Sequence, residues 1–83
     1  MVFTFHSEMN GATLIEQVKG KDINSVLIEW FKRSEISPQE PKDGYPKPVE
    51  VAKSVWSISG WNLEGSNFLT HIVATLSGSV DEY

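Results

Sequence analysis

Apolar residues in the middle of the chain recur with a helical period: Ile23, Val26, Leu27, Trp30 and Phe31 fall at i, i+3, i+4, i+7 and i+8. That spacing puts all five on one stripe of a helix. Asp22 is a suitable N-cap, because its carboxylate can accept the unpaired N–H groups of the first turn. The pattern predicts a helix over 23–34, with Lys32 and Arg33 at the negative pole of its dipole and Glu29 and Arg33 as an i, i+4 pair. A single greasy stripe needs a partner surface, and the flanking segments supply strands. Residues 2–6 alternate, with Phe3 and Phe5 on one side and Thr4 and His6 on the other. Asn10-Gly11 follows, the dipeptide best suited to a two-residue hairpin turn. A second strand over 13–18 then pairs Phe3 with Val18, Phe5 with Glu16 and His6 with Ile15, before Gly20 and Lys21 break it.

Residues 35–54 hold all four prolines, Pro38, Pro41, Pro46 and Pro48, with Asp43-Gly44 between the pairs. This stretch reads as a long loop, since proline suits neither a central strand nor a helix interior. Tyr45 is positioned to anchor it. Residues 55–58 and 68–76 read as a second hairpin around a turn at 62–67. Pairing Ile58 with Ile72 and Trp56 with Ala74 gathers Trp56, Ile58, Phe68, Ile72, Ala74 and Leu76 on one face, whereas a one-residue slip mixes them with His71 and Ser59. Gly60 suggests a bulge or a close backbone approach. The expected architecture is α+β, in the order β-β-α-β-β, with one helix packed on one face of a four-stranded, mainly antiparallel sheet. Residues 1–83 form one domain in this reading, the tail at 77–83 is expected to fray, and strand order stays open.

Composition narrows the function classes. Seven Lys and Arg against eleven Asp and Glu leave a net charge of −4, which opposes a phosphate backbone rather than neutralising it. Nucleic acid is therefore not the expected partner. No stretch approaches the roughly 20 apolar residues of a membrane span, and MVFTFHSE lacks the basic and apolar regions of a secretion signal. A cytoplasmic protein with no membrane partner is expected. The absence of Cys removes disulfides, zinc–thiolate sites and thiol nucleophiles together.

Gly11-Ala12-Thr13-Leu14-Ile15-Glu16-Gln17-Val18, followed by a helix carrying Trp30, resembles a group of small uncharacterised bacterial proteins. Those have a Gly-Gly-Thr, Ile and Gln-Val strand before a helix ending in Trp. Ala12 stands where that group has its second glycine, and the resemblance covers about the first third of the chain. It implies a bacterial, cytosolic protein built hairpin first and helix second, and it implies no activity.

Candidate chemistry is sparse. Gly60 and Gly65 have the spacing of a phosphate-binding loop, but Ser66-Asn67 follow where Lys and then Ser or Thr are required, so they read as turn glycines. His6 and His71 both fall on the face away from the helix, with Ser57 and Ser59 cross-strand from Val73 and His71. A closed metal site needs a third ligand and a catalytic pair needs an oriented nucleophile, so no catalytic, metal-binding or cofactor-binding residue is expected. Glu16 falls among Phe3, Phe5 and Leu14, where desolvation would favour acid–base use and an edge position would make it a simple guard against mispairing. Ile15, Trp61, Leu69 and Val73 fall on the uncovered face, and a contiguous apolar patch marks an interface or is covered by the proline-rich loop.

The leading expectation is a small non-enzymatic protein-interaction module that self-associates, as a dimer, through the uncovered face or an edge strand. The alternatives are a small enzyme or ligand-binding protein using His6 and His71 with Ser57 or Ser59, and a single-strand nucleic-acid binder using Trp56, Trp61 and Lys53.

Overall fold

The computed structural model describes residues 1–39 and 47–75. Within them the elements run β1 (Val2–Met9), β2 (Ala12–Lys19), α1 (Ile23–Arg33), β3 (Val49–Ala52), β4 (Val55–Trp61) and β5 (Asn67–Thr75). The strands form one sheet in the order β2-β1-β5-β4-β3, and every neighbouring pair is antiparallel. The α+β class is as expected, but the sheet has five strands rather than four. The additional strand, β3, lies inside the stretch read as a loop. Proline is excluded from central strands but tolerated beside an edge strand, and β3 is short, outermost, preceded by Pro48 and bulged between Glu50 and Ala52. The expectations for Asp43-Gly44, Tyr45, Leu76 and the tail at 77–83 lie outside the described residues.

Local turn chemistry sets the first hairpin. Asn10 and Gly11 have φ of 54° and 78°, the positive pair that a type I′ turn requires, and β1 meets β2 in the expected register, with Phe3 opposite Val18, Phe5 opposite Glu16 and His6 opposite Ile15. The β4–β5 hairpin differs from expectation by two residues: Trp56 faces Ile72, Ile58 faces Thr70, and Trp61 faces Asn67. Asn62 is the cause. Its Oδ1 accepts from the Glu64 and Ser66 amides at 3.0 and 2.8 Å, and its own amide donates to Ser66 O. The turn therefore closes over 62–66. A shift of two preserves which face each side chain occupies, so Trp56, Ile58, Phe68, Ile72 and Ala74 still point toward the helix side.

Asp22 caps α1 as expected, its Oδ1 accepting from the Ser25 amide at 2.8 Å. The amide N–H–carboxylate bond to Ser25 holds the Asp22 carboxyl below its ordinary range. The helix stops one residue earlier than predicted, at Arg33, where Ser34 turns extended and donates its amide to Trp30 O. The approach to the helix is tight: a Cβ on Gly20 would sit 2.4 Å from Val26 Cγ1. Val26, Leu27, Trp30 and Phe31 pack with Phe3, Phe5, Val18, Ile58, Phe68 and Ile72, and Ile36 beyond the helix joins them. Trp30 is the centre: its ring stacks on Phe5 at 5.0 Å and meets Phe68 edge-on at 5.8 Å. Each such side chain contributes about 1.5–3 kcal/mol on burial. This packing holds one face of the sheet against α1 and leaves the other face without the helix.

Candidate functional site

Because side chains alternate along a strand, the residues that do not face α1 form rows across the opposite surface. The central row reads Ile15, His6, His71, Ser57 and Val49, from β2 through β1, β5 and β4 to β3. One step toward the Asn10-Gly11 turn lie Thr13, Glu8, Leu69 and Ser59; one step the other way lie Gln17, Thr4, Val73 and Val55. Ile15, Trp61, Leu69 and Val73, the four candidate partner-binding residues, are 64%, 54%, 41% and 39% exposed, so none is absorbed into a core. They spread over three strands with polar residues between them. Val49, 64% exposed on β3, joins the same surface. Its signal was the Val49-Glu50-Val51 alternation after Pro48.

The polar candidates also share this surface. His6 and His71 are direct cross-strand partners. Ser57 lies opposite His71, and Ser59 lies opposite Leu69 rather than His71, which corrects the pairing expected from the shifted register. Among the described residues no side-chain hydrogen bond joins His6, His71, Ser57 and Ser59 to one another. No group of three or more His, Cys, Asp or Glu able to hold a metal gathers among the described residues. Trp56 and Trp61 stand on opposite faces: Trp56 packs against Phe3 at 6.0 Å on the helix side, so the two do not make one stacking platform.

The covered face holds polar groups that the sequence placed but left without partners. Glu16 is half-buried, and its Oε1 accepts from Trp30 Nε1 at 3.0 Å and from Ser34 Oγ at 2.6 Å, while Oε2 accepts from the Glu35 amide at 3.1 Å. The three donors come from the last turn of α1 and the two residues that follow it. The carboxylate thus pins the last helical turn to β2, and its acceptor capacity is committed to structure. Ser7 and Thr70, 1% and 0% exposed, satisfy one another through a 2.8 Å hydroxyl pair between β1 and β5. No buried side-chain N or O among the described residues lacks a partner.

Of the two glycines read as turn residues only Gly65 lies in the turn; Gly60 sits inside β4, opposite Phe68, where the expected close approach is found. Gly65 sits at φ +87° in the β4–β5 turn, and a Cβ on Gly60 would meet the Phe68 ring at 3.1 Å. No described helix is long and apolar enough to cross a membrane. The outer strands differ in their protection. β3 is guarded by Pro48 and its bulge, devices that discourage edge pairing. β2 pairs without a bulge over eight residues, and Arg33 Nη2 donates to its Gln17 carbonyl at 3.1 Å. No protein-family model, curated protein or solved structure matches the chain.

Proposed function

We propose that the protein is a non-enzymatic interaction module that binds a second copy of itself through the sheet face opposite α1. One observation carries this reading: Ile15, Trp61, Leu69 and Val73 all stand exposed on that one surface, joined there by Val49. Single exposed apolar residues are ordinary on a soluble protein; here five share one face, interleaved with polar side chains, and a mixed apolar and polar surface is what a standard interface presents. Five strands about 4.8 Å apart, up to eight or nine residues long, present a face of roughly 500 Å² in projection. That is of the order of the about 800 Å² per partner of a standard interface. A two-fold pairing would set this face against itself, the commonest way a small chain buries such a surface. The bacterial and cytoplasmic setting is inferred from the resemblance of the 11–30 segment.

A catalytic reading draws on the row Ser57, His71, His6, but nucleophile and base have to be hydrogen-bonded and oriented by a third group. The interaction reading needs no such assembly. Labelling by a serine-directed fluorophosphonate distinguishes them: modification of Ser57 that depends on His71 favours the enzyme.

Sedimentation velocity between 1 and 100 μM tests the proposal. Wild type is expected to shift from monomer toward dimer across that range, and Trp61→Ala with Leu69→Ser is expected to stay monomeric with an intact circular dichroism spectrum. Wild type that sediments as a monomer throughout overturns it.

A further inference from the structure

The pairing of His6 with His71 supports a second binding property, distinct from self-association. We infer that these two imidazoles form a bidentate chelate for a first-row transition-metal ion of the zinc, nickel and copper class, at the centre of the open face.

The geometry follows from the first hairpin. A two-residue turn makes Met9 and Ala12, the residues flanking Asn10-Gly11, a hydrogen-bonded pair. Odd-numbered residues of β1 then direct their N–H and C=O groups to β2, and even-numbered ones direct theirs to β5. His6 and His71 are therefore a hydrogen-bonded antiparallel pair, with Cα atoms about 5.5 Å apart and side chains on the same face. Two nitrogens bound to one tetrahedral ion at 2.0–2.1 Å lie roughly 3.3 Å apart. Imidazoles rising from neighbouring positions need only lean toward each other to reach that separation.

Rigidity favours the same conclusion. β1 and β5 are interior strands, flanked by β2 and β4, so the two backbones are held in register before any ion arrives. Preorganised ligands lose less freedom on binding. Both imidazoles are exposed, and no side-chain hydrogen bond among the described residues engages either ring. Their nitrogens are available in the monomer without breaking structure, and a second copy seated on this face competes with the ion for them.

The donor set selects the class of ion. Imidazole suits zinc, copper and nickel, while calcium and magnesium require oxygen ligands. Glu8 lies one step along β1 on the same face, but no third His, Cys, Asp or Glu among the described residues closes the set. Two protein ligands leave coordination positions open for water. The site is an open chelate rather than a closed structural centre.

The experiment compares wild type, His6→Ala, His71→Ala and the double variant, titrated with Zn²⁺ by calorimetry and with Ni²⁺ by NMR. Ni²⁺ broadening is expected to centre on residues 6 and 71, and Zn²⁺ to bind at one equivalent. Each single variant is expected to lose at least tenfold in affinity, and the double variant to lose far less than the product of the two, because the first substitution already breaks the chelate. Losses under threefold in each single variant that multiply in the double, or broadening centred elsewhere, overturn the chelate. Asn replacements at both positions repeat the comparison should an Ala variant fold poorly. The titrations are run on the Trp61→Ala, Leu69→Ser background as well. Failure of self-association then leaves the chelate intact, and failure of chelation leaves self-association intact.

Discussion

Replacing Glu16 by Ala isolates the joint between helix and sheet. The substitution removes the acceptor of Trp30 Nε1 and Ser34 Oγ, which belong to residues only 1% and 7% exposed. A buried donor left without a partner costs about 1–3 kcal/mol. The Glu35 amide, third of the donors, belongs to an exposed residue and turns to water. Relief from desolvating a half-buried carboxylate offsets part of the loss, so a net destabilisation of about 3 kcal/mol is expected. A domain of this length has about 4–12 kcal/mol in total, so the change is large. Glu16→Gln keeps a neutral acceptor and is expected to lose about 1 kcal/mol, since bonds to charged groups are the stronger ones. Urea unfolding followed by far-UV circular dichroism and tryptophan fluorescence, at one fixed protein concentration, measures both. At about 4–8 °C per kcal/mol, Glu16→Ala should lower Tm by roughly 12–24 °C. A loss under about 0.5 kcal/mol, or equal losses for Ala and Gln, would show that the carboxylate does not hold the helix end.

Three other substitutions probe the frame that presents the open face. Gly20→Ala places a Cβ 2.4 Å from Val26 Cγ1, in a buried and packed side chain, and is expected to cost about 1–3 kcal/mol by thermal melt. Ser7→Ala strands the Thr70 hydroxyl at 0% exposure; about 1–2 kcal/mol is expected, with the Ser7→Ala, Thr70→Val double variant losing less than the sum of the singles in a double-mutant cycle. Asp22 has its carboxyl held low chiefly by the Ser25 amide, so its charge contributes stability above the unfolded value of 3.8, and that contribution is lost as pH falls through the lower folded value. The Tm advantage of wild type over Asp22→Asn should accordingly be present at pH 6 and vanish in strong acid.

Local signals carried as far as local physics reaches. Asn10-Gly11 admits one tight turn, so the pairing of Phe3 with Val18 followed from it. The period of Ile23, Val26, Leu27, Trp30 and Phe31 marked the helix and its covered stripe. Strand alternation alone put Ile15, Trp61, Leu69 and Val73 on one face, and even the two-residue error between β4 and β5 left that parity untouched. What escaped depends on distant partners. β3 was hidden because Val49–Ala52 is four residues long beside Pro48 and becomes a strand only by pairing with β4. The closing of the turn by Asn62 needs that side chain to be buried, at 4% exposure. The meeting of His6 with His71 rests on β1 and β5 being neighbours in the sheet, which no local pattern encodes. Glu16 was placed on the covered face correctly, but its role came from Trp30 and Ser34, donors 14 and 18 residues away.

The central claim is that the sheet face opposite α1 meets its own copy. Isotope-filtered NOE spectroscopy on a mixture of ¹³C-labelled and unlabelled protein reads that contact directly. Intermolecular NOEs are expected among the methyls of Ile15, Leu69 and Val73 and the Trp61 ring. Intermolecular NOEs confined to the outward side of α1, around Ile28, or none at concentrations where a dimer sediments, would contradict it.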